Sequence, residues 1–175
     1  MKIKQNIPIL FHKDAFRKRM VKFQDGRIIN LPEPNRSVLT KAGYSIVERE
    51  SPSLWLEDTV LVTGEIPRIN EFEKGFPNHY SEVDGKMESD PLIKDDQAVI
   101  LNIKEKGLVI ITGCGHSGII NIINYAMELT GEDRIYTIIG GMHLSGGIFE
   151  PIIPKTVDEL KKLNLDSLFL VIAQA

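Results

Sequence analysis

Residues 111–118 read Ile-Thr-Gly-Cys-Gly-His-Ser-Gly, placing the chain's single cysteine and one of its four histidines in one loop after an apolar run. Two chemistries compete for this loop. Gly113, Gly115 and Gly118 satisfy the G-x-G-x-x-G spacing that cradles a pyrophosphate at a helix N-terminus. His116 offers instead a neutral imidazole, a common ligand for zinc, iron or nickel. The dinucleotide reading needs an acidic residue at the C-terminal end of the next strand, beside the glycine turn. Asp133 has the right separation from Gly113 but precedes the strand-like run 135–139, which puts it at the opposite edge. The residues at the correct end are Gly140, Gly141, Met142 and His143. A nucleotide-binding domain is therefore the weaker alternative.

The metal reading uses the same residues differently. His116 follows the run 107–112 and His143 follows 135–139, each after glycines. If the two runs are parallel strands joined by a helix, both imidazoles emerge at the carboxyl edge, where α/β sheets build their sites. Asp95 and Asp96 precede the strand that feeds 107–112, so a carboxylate can reach that edge too. His116, Asp95 and Asp96 are the candidate metal ligands. Cys114, in the same loop, is read as a small buried residue, the usual fate of a free cysteine.

The elements that position these residues follow from hydrophobic patterning. Ala98–Ile103 and Gly107–Thr112 are apolar runs around Lys104-Glu105-Lys106, a hairpin. Ile119, Ile122, Ile123, Ala126 and Leu129 form one stripe of a helix over 117–130, closed by Gly131. Runs 135–139 and 168–173 are strands, and Thr156 with Glu159 predicts a capped helix that ends near Asn164. Nearer the start, 7–11 reads as a buried strand, 14–22 as a helical turn or two, and 38–50 as a bent strand or hairpin around Gly43. Residues 54–63 form a strand-like run with a turn at Glu57-Asp58. Residues 64–94 have no sustained period and are expected to be an irregular loop or insertion.

Several separated stretches together resemble one family. The run "DDQAVILNIKEKGLVIITGCGHSGIINIINYAMELTGEDRIYTIIGGMHL", with "LFHKDAFRKR" and "TGEIPRINEFE" before it, is similar to the later part of metallo-β-lactamase-fold, metal-dependent hydrolases related to dihydropterin-ribofuranosyl-aminobenzene phosphate synthase. The resemblance implies a single α/β domain over 1–175: a partial metallo-β-lactamase-like αββα sandwich, with mixed sheets and helices outside. It implies that His116 and Asp95, with Asp96 beside it, are metal ligands. It also implies that His12, Glu65, Arg68 and His143 face a small-molecule substrate.

The family's H-x-H-x-D-H signature has no counterpart here, because the histidines stand at 12, 79, 116 and 143. A catalytic zinc site needs about three protein ligands plus an open position. The expectation is therefore an incomplete hydrolase, holding a divalent metal (zinc or iron) weakly or not at all and hydrolysing poorly alone, with no catalytic residue assigned. The alternative is a non-catalytic binding module. Self-association, or a separate N-terminal half polypeptide, is expected to complete it. With 21 basic against 24 acidic residues, charge gives no argument for nucleic acid or a membrane surface. The basic run Phe16–Lys22 is read as a solvated face. One cysteine, no apolar h-region in residues 1–8 and no long apolar segment fit a cytoplasmic protein.

Overall fold

The computed structural model describes residues 7–163 and 165–170. In chain order these form β1 (Ile7–Phe11), a 3₁₀ turn (Lys13–Phe16), β2 (Arg19–Lys22), β3 (Ile28–Leu31), α1 (Arg36–Lys41), β4 (Tyr44–Glu48), β5 (Ser53–Trp55) and β6 (Val60–Val62). There follow β7 (His79–Val83), β8 (Lys86–Ser89), β9 (Ala98–Ile103), β10 (Gly107–Thr112), α2 (Ile119–Thr130), β11 (Ile135–Gly140), a second 3₁₀ turn (Glu150–Ile152), α3 (Ile153–Leu160) and β12 (Leu165–Leu170). The fold is mixed α/β with three sheets. The largest has the order β12-β11-β10-β9-β6-β5, parallel across β10-β11-β12 and antiparallel across the rest. A four-stranded antiparallel sheet has the order β3-β2-β7-β8, and β1 pairs with β4 in parallel.

The core lies between the large sheet and α2, because the pleat sends alternate residues to opposite faces. One cross-sheet row is Leu61, Ile100, Ile110, Ile138 and Leu168. Its members Ile100, Ile110 and Ile138 are at most 1% exposed and pack with Ile119, Ile122, Ile123 and Ala126 of α2. The next row, Val62, Val99, Ile111, Ile139 and Phe169, falls on the other face. There Ile111 is 37% and Phe169 58% exposed. No helix of the described residues is long and apolar enough to cross a membrane.

The hairpin, the parallel β10-α2-β11 unit and the Gly131 terminator stand where the patterning puts them; Gly131 adopts φ 68 and donates its N–H to the Met127 carbonyl at 2.8 Å. Asp133 lies at the far edge of the sheet, since its neighbour Arg134 reaches the Glu105 carbonyl of the hairpin turn.

Several expectations are corrected. β1 is only half-buried, because its sheet has just two strands. Residues 14–22 hold a single 3₁₀ turn and then β2, whose pairing with β3 and β7 overrides local propensity. Of residues 38–50 only β4 is strand; the part before Gly43 is not, since α1 occupies 36–41, because the Asn35 side chain accepts the N–H groups of Ser37 and Val38 and starts a helix. The segment 64–94 contains the hairpin β7-β8, turned at Asp84-Gly85 with φ 49 and 76. Thr156 is no cap. α3 begins at Ile153 with a proline in its first turn, and the buried Thr156 hydroxyl donates to the Ile152 carbonyl. The last strand is β12; residues 171–173 and Asn164 lie outside the described residues, as does the Met1–Asn6 part of the leader expectation.

Candidate metal and substrate site

The loop 113–118 is held from three directions. The Ser117 N–H donates to Asp96 Oδ2 at 2.8 Å. The N-cap of α2 is Gly118, which has no side chain to satisfy the first helical amides. Glu73 does so from the 64–94 segment: Oε1 accepts from the Ile120 N–H at 3.0 Å and Oε2 from the Asn121 N–H at 2.9 Å. Oε2 also accepts from Asn70 Nδ2. Asn121 replies, its Oδ1 accepting the N–H groups of Ile69 and Asn70 while its Nδ2 donates to the Ser117 carbonyl. Burial pushes the Glu73 carboxyl up, and these donors pull it back. A carboxylate of the chain itself thus fills the anion site that a dinucleotide phosphate would need.

Asp95, Asp96, His116 and His143 line one cleft of about 680 Å³, at the same sheet edge. The His116 and His143 rings lie 4.2 Å apart between centroids, and His116 Nδ1 and His143 Nε2 are both buried without a hydrogen-bond partner. Burial lowers the His116 pKa, against the opposing pull of Asp96 and Asp95. Burial, with His116 beside it, lowers His143 to about 4. Both rings are therefore neutral at ordinary pH, with a lone pair to offer. Asp95 differs from Asp96: Arg19 grips both its oxygens, Nη1 to Oδ2 at 2.8 Å and Nη2 to Oδ1 at 2.7 Å. Cys114, expected to be buried, is exposed at the cleft.

His12 and Glu65 meet apart from these residues, Nε2 to Oε1 at 3.1 Å. With Glu50 they offer donor atoms within 4.8 Å of one another, the one such trio found among the described residues. His12 is fully buried and its Nδ1 accepts the Asp14 N–H, capping the 3₁₀ turn. The Nε2 proton then belongs to the bond with Glu65, so the ring has no lone pair left for an ion in this arrangement. Arg68 makes no hydrogen bond to either side chain among those found. It donates to the carbonyls of Ile66 and Leu92 and clamps the two ends of the 66–92 excursion.

Three positions that shape or line the cleft carried no recognisable signal. Arg19 lies in a basic stretch that reads as a solvated face, yet its side chain is only 15% exposed. Glu73 sits in an aperiodic segment. His79, which lines the same cleft with Nδ1 2.8 Å from the Asp90 carbonyl oxygen, comes from the unforeseen β7. The Asp84-Gly85 dipeptide was the one available sign of that hairpin.

No protein-family model matches the sequence. Over 157 residues, 89% of this chain, it is 32% identical to an uncharacterized protein of Methanocaldococcus jannaschii, covering 54% of that protein. It is 28% identical over 167 residues, 93% of the chain, to the 7,8-dihydropterin-6-methyl-4-(beta-D-ribofuranosyl)-aminobenzene-5'-phosphate synthase of the same organism, covering 55% of it. The chain thus spans about half the length of the curated relatives it matches. Its fold is similar to a crystal structure described as a metal-dependent hydrolase of the beta-lactamase superfamily. That match has a TM-score of 0.68 at 21% identity, over 98% of this chain and 71% of the other.

Proposed function

Given that the chain is a metallo-β-lactamase-fold protein, we propose that it carries part of the site of a metal-dependent hydrolase, with Asp96, His116 and His143 as its share of the ligands. The observation that carries the reading is the pair of unpartnered, buried nitrogens on two adjacent neutral imidazoles, in a cleft also lined by the Asp96 carboxylate. A buried polar atom without a partner is costly and usually marks a missing water or ion. Nitrogen and carboxylate donors suit zinc or iron. Such an ion supplies Lewis acidity and makes water a nucleophile near neutral pH. The chain's own residues hold and orient: the Ser117 amide fixes Asp96, Arg19 occupies both oxygens of Asp95, and burial keeps His116 and His143 unprotonated. Asp95 is on this reading a support for the site rather than a ligand.

These donors fall short of a full catalytic set, and H-x-H-x-D-H is absent from the 175 residues. The reading therefore assigns the remaining ligands to further polypeptide: an N-terminal half on a separate chain, or a second copy that self-associates. The half-exposed row through Ile111 and Phe169 supports a covering layer, since sheets bury such faces. The protein would act on a small molecule in the cytoplasm, where its one cysteine stays reduced.

Zinc titration of the metal-free chain tests this. Wild type should bind weakly and lose zinc to chelator; His116→Ala and Asp96→Asn should abolish binding, and Asp95→Asn should leave it. Tight zinc that survives chelator dialysis counts against an incomplete site, and binding unchanged in His116→Ala counts against its location. The second reading, a non-catalytic binding module, is favoured if adding a separately expressed N-terminal half restores no hydrolysis.

A further inference from the structure

Beside the cleft lies a smaller cavity of about 220 Å³, between segment 72–77 and the loop 142–152. Its walls are Phe72, Met142, Leu144, Ile148, Phe149 and Ile152, and it meets the candidate site at His116 and His143. Four rings cluster where it borders the candidate site. The Phe149 ring stands at 69° to His143 with centroids 4.4 Å apart, His143 lies against His116, and Phe76 braces both Phe149 at 5.3 Å and His143 at 5.9 Å. His143 adopts φ 48, a left-handed backbone that a non-glycine residue keeps only where its surroundings fix it. The rings and that backbone together build one wall.

The chemistry of the walls selects an occupant. Glu73 lines the cavity, but both its oxygens are committed to α2 and Asn70. Lys74 stands at the exposed side of the cavity, and the rest of the lining offers mainly apolar and aromatic surface, of the kind that takes a ring by edge-to-face contact, with a methionine side chain beside it. The volume exceeds the ~150 Å³ that takes up a benzene in an engineered apolar cavity. We propose that this cavity is a subsite for one planar aromatic ring, the non-reacting part of a substrate whose reacting bond lies at Asp96 and His116. The inference rests on the hydrolase reading and names the part of the substrate that this chain holds.

The full chain, kept in chelator and labelled with ¹³C at its methionine and isoleucine methyls, is titrated with benzyl alcohol and with its saturated, non-planar analogue cyclohexylmethanol. Benzyl alcohol should shift the Met142 methyl saturably, at about millimolar affinity for so small a ligand. The saturated analogue should bind about fivefold more weakly, and Phe149→Ala should weaken the aromatic probe by a similar factor. Leu144→Trp, which fills the cavity, should abolish the shift while the α2 methyl signals of Ile122 and Ile123 stay native. Should either variant fail to fold, the wild-type comparison of the two probes decides alone. The proposal is overturned by no saturable Met142 shift, by equal affinity for the two probes, or by undiminished binding in folded Leu144→Trp. Zinc titration on the same protein, after the chelator has been removed, separates the two ideas. Zinc without the ring removes this inference alone, and the ring without zinc removes the metal reading and leaves a ring-binding cavity.

Discussion

Replacing Gly118 with alanine should damage the structure out of proportion to one methyl group. Gly118 adopts φ 84 and ψ 130, a region that residues with a Cβ avoid at about 1–3 kcal/mol. A Cβ there would meet Glu73 at 2.3 Å from Cδ and 2.5 Å from its Cβ, so the flexible end of the side chain cannot simply swing clear. The carboxylate must leave the Ile120 and Asn121 amides, forfeiting charged hydrogen bonds of about 1.5–3 kcal/mol each, in part restored by water. The net loss after that restoration, about 3–6 kcal/mol, is a large part of the ~5–15 kcal/mol that holds a domain together. Gly113 is the control in the same loop: its φ is not positive and a Cβ there meets nothing within 4 Å. Gly113→Ala should change stability by less than about 0.5 kcal/mol. Urea unfolding gives the free energies, and hydrogen exchange at the Ile120 and Asn121 amides gives the local effect. Equal, small costs at the two glycines, with protection retained at both amides, would refute the reasoning.

The two rows of the large sheet should respond differently: Ile110→Ala should cost about 2–5 kcal/mol in urea unfolding. Ile111→Ala, on the half-exposed face, should cost under about 1 kcal/mol, and similar losses would contradict the assignment of faces. In metal-free protein, His143 titrates near 4 when folded and near its ordinary 6.5 when unfolded, so the unfolded chain takes the proton first. Stability should thus fall as pH drops from about 6.5 toward 4, and His143→Phe should reduce that slope without erasing it, because His116 is also lowered by burial. For the Arg19–Asp95 pair, a double-mutant cycle to alanine should show a coupling of about 1–3 kcal/mol; a value below about 0.5 would mean the bidentate contact is solvated in solution.

Most of the large sheet was legible because its strands and α2 are long, apolar and periodic: Ile119, Ile122, Ile123 and Ala126 can share a face only on a helix. α1 was not, since its Val38 is exposed and its only sign was the Asn35 cap. Pro154 set the start of α3 ahead of a capping-box pattern at Thr156 that is coincidental. In the site, His116, His143, Asp95 and Asp96 could be placed together because all four flank strands of one sheet edge. Arg19 and Glu73 could not. Each reaches its partner across a sheet or segment boundary, and no local pattern records that Arg19 will meet Asp95 or that Glu73 will complete a helix begun by a glycine.

The bonds that shape the cleft also set its place in the order of folding. Asp96 meets Ser117 across 21 residues, Glu73 meets Ile120 across 47, and Arg19 meets Asp95 across 76. Closing such loops costs chain entropy before any contact rewards it, so long-range pairings form slowly. The β9-β10 hairpin and α2 can assemble from neighbours within one stretch of chain, and a nascent polypeptide can hold them early. The cleft cannot exist until residues from Arg19 to His143 are all present and brought together, so the hairpin and α2 can form before the protein has any means of binding.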